Sequence, residues 1–218
     1  MHNPWGLLPY ADLFVLADDL PIVDAFNARA KPLYKIRTEA MPEPFFGPFD
    51  ARVIVLLQNP GFSNDEQHID ETPEFKTALR DYFATGKGPH LHLAASARGP
   101  GHNWWMRKTK EFRATAGREA IANNLLAIEY FPYHSIKFAH ARLRLPSQDF
   151  SFELLKSAIE RGCEIIVARG FKLWVEAVPE LALYSKVSRL NSAQNIALSS
   201  GNMGPDTFAR IAATLIST

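Results

Sequence analysis

The chain has 218 residues, 47% of them hydrophobic, and a net charge of +1, which fits one soluble domain with a sizeable core. No apolar run approaches the roughly 20 residues that cross a bilayer, and "MHNPWGLLPYADLF" lacks a basic segment leading into a long apolar one, so neither a membrane anchor nor a signal peptide is expected. The single cysteine, Cys163, excludes an intramolecular disulfide and any four-cysteine metal site; the expectation is an intracellular, cytoplasmic monomer with no metal and no cofactor, nucleoid-associated if bacterial.

In chain order, residues 1–50 carry no recognisable motif and form an N-terminal extension. The apolar run Arg52–Gln58 predicts a buried strand. It stops at Gln58-Asn59-Pro60-Gly61-Phe62, an amide pair, a rigid turn and an aromatic. That composition suits a pocket floor, although Pro-Gly by itself marks only a turn. Neither G-x-x-x-x-G-K nor G-x-G-x-x-G is present here, so the turn is not a phosphate loop. A helix is predicted over Pro73–Phe83. The segment 85–115, "TGKGPHLHLAASARGPGHNWWMRKTKEFRAT", shows no clean period and is basic and aromatic. From Lys87 to Arg118 there are seven Lys or Arg and one acid, Glu111, a local charge of +6 in a chain that is otherwise acidic. Long irregular insertions in compact domains are commonly functional.

A helix over Ala116–Asn124 leads into a second strand, Leu125–Tyr130, which holds an acid in "LLAIEYFPY". Burying Glu129 is costly unless it has a partner or a task. A third helix starts at an Asp149 cap and stops at Gly162. Strand Glu164–Ala168, helix Phe171–Val178, strand Ser185–Leu190 and helix Pro205–Ile216 complete the chain. Alternating strands and helices predict an α/β fold: a single three-layer α/β/α domain over 1–218 with a central four-stranded parallel sheet. Ligands in such folds sit beyond the carboxyl ends of the strands. There the sequence places the amides Gln58 and Asn59, the carboxyl of Glu129, the aromatics Phe62, Tyr130 and Tyr133, and the polar run Asn191-Ser192-Ala193-Gln194-Asn195. Singly, each has a plain reading as turn, paired acid or polar loop. Together they match a planar polar heterocycle, stacked on its face and hydrogen-bonded at its edge.

These motifs resemble the uracil-DNA glycosylase superfamily. Leu57-Gln58-Asn59-Pro60-Gly61 stands where that group has an apolar strand and G-Q-D-P-Y, or N-P-G in its mismatch-specific and single-strand-selective branches. Ser192-Ala193-Gln194-Asn195 is similar to the S-P-R-N of the latter, and Leu125–Pro132 aligns with the strand that carries a base-reading Asn. The resemblance runs from about Arg52 to the C-terminus. It implies a uracil-DNA glycosylase-like fold and a monofunctional DNA glycosylase. Such an enzyme flips a nucleotide into a pocket and hydrolyses its N-glycosidic bond, leaving an abasic site. The transition state puts positive charge on the sugar and negative charge on the departing base. The resemblance makes Asn59 the holder of the attacking water and gives Gln58 backbone donors toward a base carbonyl. Gly61, Phe62, Glu129, Tyr130, Tyr133, Asn191, Ser192 and Asn195 would surround the base.

Two departures bear on the substrate. The His that opens the last motif in many members is replaced by Leu190 or Asn191, so a donor to the departing base is missing or comes from elsewhere. Glu129 takes the slot of the base-reading Asn. An ionised carboxylate only accepts hydrogen bonds, which fits the N4 amino group of cytosine and opposes O4 of uracil; a protonated Glu would also donate. Gly61 replaces a Tyr that crowds C5, so a 5-modified cytosine is the expected base, with uracil in repair as the alternative. In the basic segment, Lys87, Arg98, Arg107, Lys108, Lys110 and Arg113 are expected on phosphates, Trp104 and Trp105 on exposed bases, and Gln194 along the DNA. A module that binds modified DNA or a nucleotide without catalysis, and an enzyme acting on free nucleosides, are the competing classes.

Overall fold

The computed structural model describes residues 2–9, 13–62, 73–192 and 194–216; Ala193 of the last motif lies outside the described residues. Five strands form one sheet: β1 (Phe45–Phe46), β2 (Val53–Leu57), β3 (Leu125–Glu129), β4 (Glu164–Val167) and β5 (Val187–Arg189). Their order is β1-β3-β2-β4-β5. β2 to β5 are mutually parallel, and β1 runs antiparallel to β3. The expected four parallel strands are all present, but the sheet is five-stranded and mixed. β1 escapes a pattern search because two residues between Pro44 and Gly47-Pro48 show no alternation. It blunts the edge that β3 would otherwise expose. Gly47 has φ 112°, and a Cβ there would collide with the Leu125 carbonyl, so only glycine lets the chain pass β3 so closely.

The apolar runs are continuous because both faces are covered. Alternate residues of β2 divide between two cores. Ile54 and Leu56 join Leu126, Ile128, Ile165 and Val167 on one face, with α1 (Leu20–Asn27), α2 (Pro73–Thr85), α6 (Gln148–Glu160) and α7 (Phe171–Ala177). Val53, Val55 and Leu57 join Leu125, Ala127 and Ile166 on the other, with α3 (Gly99–Lys108), α4 (Lys110–Ala116), α5 (Arg118–Asn124), α8 (Ser200–Met203) and α9 (Pro205–Ile216). Helices on both faces are what a three-layer α/β/α arrangement requires. Gly162, with φ 74°, ends α6 as expected, but the helix begins one residue before Asp149. The side chain of Gln148 accepts from the Leu145 N–H and donates to the Tyr130 carbonyl, which fixes that earlier start.

Both flanking segments contribute to the body of the fold. Within residues 1–50, Trp5, Val15, Leu16, Val23 and Ile36 are buried in the first core. The Tyr133 hydroxyl accepts from the Leu16 N–H (3.1 Å) and donates to Asp19 (2.7 Å), tying this segment to the loop after β3. The segment 85–115 is largely helical, with a short 3₁₀ turn at Leu91–Leu93 followed by α3 and α4. Its period is hidden because Gly99-Pro100-Gly101 fill the first turn of α3, where proline costs no hydrogen bond, and because Gly117 breaks α4 from a short α5.

Candidate functional site

Parallel pairing in register, Leu57 with Glu129 and Leu56 with Val167, brings the carboxyl ends of β2, β3 and β4 to one edge of the sheet. Beyond that edge lies a cavity of about 640 Å³. Its floor is Gln58, Asn59, Pro60, Gly61 and Phe62, with Glu129 beside them. One wall is Gly101, Trp104 and Trp105 of α3, and the other is the loop His134–Phe138; Met41 and Glu43 enter from the segment before β1.

The floor is held by the loop after β3. The Asn59 Nδ2 donates to the Pro60 carbonyl (2.8 Å) and to the Ser135 hydroxyl (2.9 Å). With the nitrogen so used, Oδ1 is left without a partner among the described residues and is the atom open to a guest. The Phe131 and Ser135 N–H groups donate to the carbonyls of Gln58 and Pro60, extending the β2–β3 pairing past both strands. Each ring nitrogen of His134 faces a carbonyl, Nδ1 that of Gly61 (2.6 Å) and Nε2 that of Met41 (2.9 Å), so this ring clamps the turn to the N-terminal segment. Among the described residues, a Cβ added at Gly61 would meet nothing within 4 Å. Phe62 is half-buried, with the Arg37 guanidinium 5.0 Å from its ring centre.

Opposite the amides stand two carboxyls. Glu129 is 8% exposed, and its Oε2 is buried with no hydrogen-bond partner. Burial pushes this carboxyl well above the ordinary carboxylate range and the neighbouring Glu43 adds to the effect, while Arg169 opposes it. Glu43 behaves in the opposite sense. Burial would raise it, but the charge and hydrogen bond of His92, helped by His134, hold it below its ordinary value. The His92 Nε2 lies 3.1 Å from Glu43 Oε1. Behind them His90 is buried with neither ring nitrogen partnered, 4.4 Å from the Trp105 ring.

Among the residues expected at the site, Gln58, Asn59, Gly61, Phe62, Glu129, Trp104 and Trp105 line this one cavity. Tyr130 and Tyr133 do not. Successive side chains of a strand face opposite sides, so with Glu129 in the cavity wall Tyr130 turns into the core between Phe152 and Trp174, both 5.5 Å away. Tyr133 is fully buried on its bonds to Leu16 and Asp19. Asn191, Ser192, Gln194 and Asn195 also miss the cavity. Their loop leaves the far edge of the sheet and is braced by Asn202, which accepts from the Ser192 N–H and donates to the carbonyls of Asn195 and Ala197. Of the described residues in this loop, Ile196 alone reaches the lining.

The basic segment is divided. Arg98 donates to the carbonyls of Ala95 and Ala97, and Arg113 to that of Met106, so both serve local structure. Lys87, Arg107 and Lys110 are exposed. Lys108 lies 5.8 Å from the Trp104 ring and 3.4 Å from Asn195 Oδ1; partial burial, Arg107 and Arg169 pull its pKa down. Lys137 and Arg169, which the sequence did not single out, are exposed on the cavity rim. Glu43 was also missed; an acid held between Pro42 and Pro44 just before two phenylalanines was its only signal. The described residues contain no cluster of three candidate metal ligands and no helix long and apolar enough to cross a membrane. Compared with known proteins, the chain matches no family model, no curated protein and no solved structure.

Proposed function

We propose that this chain is a DNA glycosylase that takes a flipped-out pyrimidine into the cavity and hydrolyses its N-glycosidic bond, leaving an abasic site. The observation that carries this reading is the meeting of Asn59, with its Oδ1 unpartnered, and Glu129, with its Oε2 unpartnered, in one cavity beyond β2 and β3. Asn59 holds a water against the sugar, and Phe62 and Trp104 offer faces on which a base stacks. An amide is too weak a base to deprotonate water early, so the rate enhancement comes from positioning and from electrostatic support of the departing base. Lys137, Arg169 and Arg107 supply positive charge for flanking phosphates.

Burial pushes the Glu129 carboxyl above its ordinary range, and in its protonated form a carboxyl both donates and accepts. It pairs with N3 and the N4 amino group of cytosine, and equally with N3–H and O4 of uracil. What favours a 5-substituted base is the space beside Gly61, where a Cβ would meet none of the described residues within 4 Å. A binding module without catalysis is the second reading, favoured by one observation: Ser192, Gln194 and Asn195, the described residues of the segment that resembles the family's last motif, do not line the cavity. Oligonucleotides containing uracil, thymine mismatches or 5-modified cytosines, treated with the protein and then with alkali, separate the two. The glycosylase reading expects strand scission at a 5-modified cytosine; the binding reading expects retention of the same oligonucleotide with no scission.

A further inference from the structure

We propose that Glu129 is the proton donor to the departing base, with Glu43, anchored by His92, as its facing partner. This rests on the glycosylase reading and supplies the donor whose usual histidine is absent from the last motif. β1 pairs with β3 and the Glu129 N–H donates to the Pro44 carbonyl (2.9 Å), so the backbone holds Glu43 and Glu129 on the same cavity. Their surroundings differ. Glu43 Oε1 is taken by His92 Nε2, whereas Glu129 Oε2 is buried and meets no donor that would stabilise a carboxylate. Environments that drive two carboxyls apart assign one as acid and the other as charge. Glu43 is thus a positioning residue: its fixed negative charge discourages a second one on Glu129.

In the step, the C1′–N1 bond breaks and its electron pair passes to the base. The Glu129 O–H proton moves to the base edge it is bonded to, N3 for cytosine, so the base leaves neutral. The oxygen of the water held by Asn59 bonds C1′, its spare proton passes to solvent, and solvent later reprotonates Glu129. The charges acting on Glu129 are those of Glu43 and of Arg169 after β4; His134 and Lys137 in the loop after β3 line the same cavity, and His92 is bonded to Glu43.

A donor works only while protonated, so kcat/KM should fall at alkaline pH as Glu129 ionises. Glu129→Gln should lower kcat by about 10²- to 10⁴-fold and abolish that alkaline limb. Glu43→Gln should shift the limb to lower pH, because a like charge has gone. The Glu129→Gln deficit should narrow on a base whose electron-withdrawing 5-substituent lets it leave as an anion. Independently of turnover, the infrared difference between wild type and Glu129→Gln should contain a carboxylic-acid carbonyl band at neutral pH that fades as pH rises. Excision with an alkaline limb that survives in Glu129→Gln, or the absence of that band, overturns the donor role and leaves the glycosylase reading standing. A wild type that excises no base overturns both.

Discussion

Glu129 Oε2 is buried without a hydrogen-bond partner, Asn59 Oδ1 has none among the described residues, and both residues line the same cavity. Unsatisfied buried polar atoms are few in native proteins, and those at a cavity wall point to a guest. The two residues were legible because each ends an apolar strand, where ligands sit in this class of sheet. Tyr130 and Tyr133 were misplaced because nearness in sequence was taken for nearness in space; alternation along β3 excludes Tyr130 once Glu129 is in the wall. Gly61 offers a test at this scale. Gly61→Tyr adds a ring at this turn and should reduce excision of a 5-substituted pyrimidine by about tenfold or more while sparing the unsubstituted base. The ratio of kcat/KM for the two substrates measures it, and an unchanged ratio would remove Gly61 from base selection.

At the level of elements, the four parallel strands and the helices that end near residues 85, 124, 160, 177 and 216 could be read from hydrophobic runs and glycine or proline stops. β1 could not, because a two-residue strand has no period and exists only through its partner. α3 and α4 could not, because their glycines and basic residues hide a short buried stripe. Phe112 is the clearest member of that stripe: it is fully buried and stacked on Phe208 of α9, with centroids 4.5 Å apart and planes at 8°. Phe112→Ala should cost roughly 3–5 kcal/mol of stability, read as a lower denaturation midpoint in urea. A variant with wild-type stability would mean that the basic segment is not anchored through α4. The consequence for function is that Trp104 and Trp105 stand on a packed helix rather than on a free loop.

Across the whole molecule, the cavity is closed by parts far apart in sequence: the segment before β1, the strand ends, the loop after β3 and α3. That convergence could not be read from local patterns, which is why Glu43 and His92 went unnoticed. The loop after β3 also carries a pH-sensitive element of stability. His140 is 1% exposed among Phe26, Phe131 and Phe138, neither ring nitrogen has a partner, and burial lowers its pKa to about 4. A histidine depressed in the folded state is protonated first in the unfolded chain. Stability is therefore full above the ordinary value near 6.5 and is lost as pH falls toward 4, by at most roughly 3 kcal/mol from this group. His90 is shifted the same way by burial and by His92, and adds to the loss. Chemical denaturation between pH 7 and pH 4 should show this decline, and His140→Leu should flatten it; an equal decline in that variant would assign the acid sensitivity elsewhere.

The central claim, that a base is excised in the cavity floored by Asn59, is tested most directly by scission at alkali-labile abasic sites. A duplex and a single strand carrying one 5-modified cytosine are each incubated with wild type and with Asn59→Ala. Wild type should give scission at the modified position, and Asn59→Ala should lower the single-turnover rate by about 10²- to 10³-fold with binding retained. No scission by wild type on these or on uracil-containing strands, or equal rates for the two proteins, would contradict the claim.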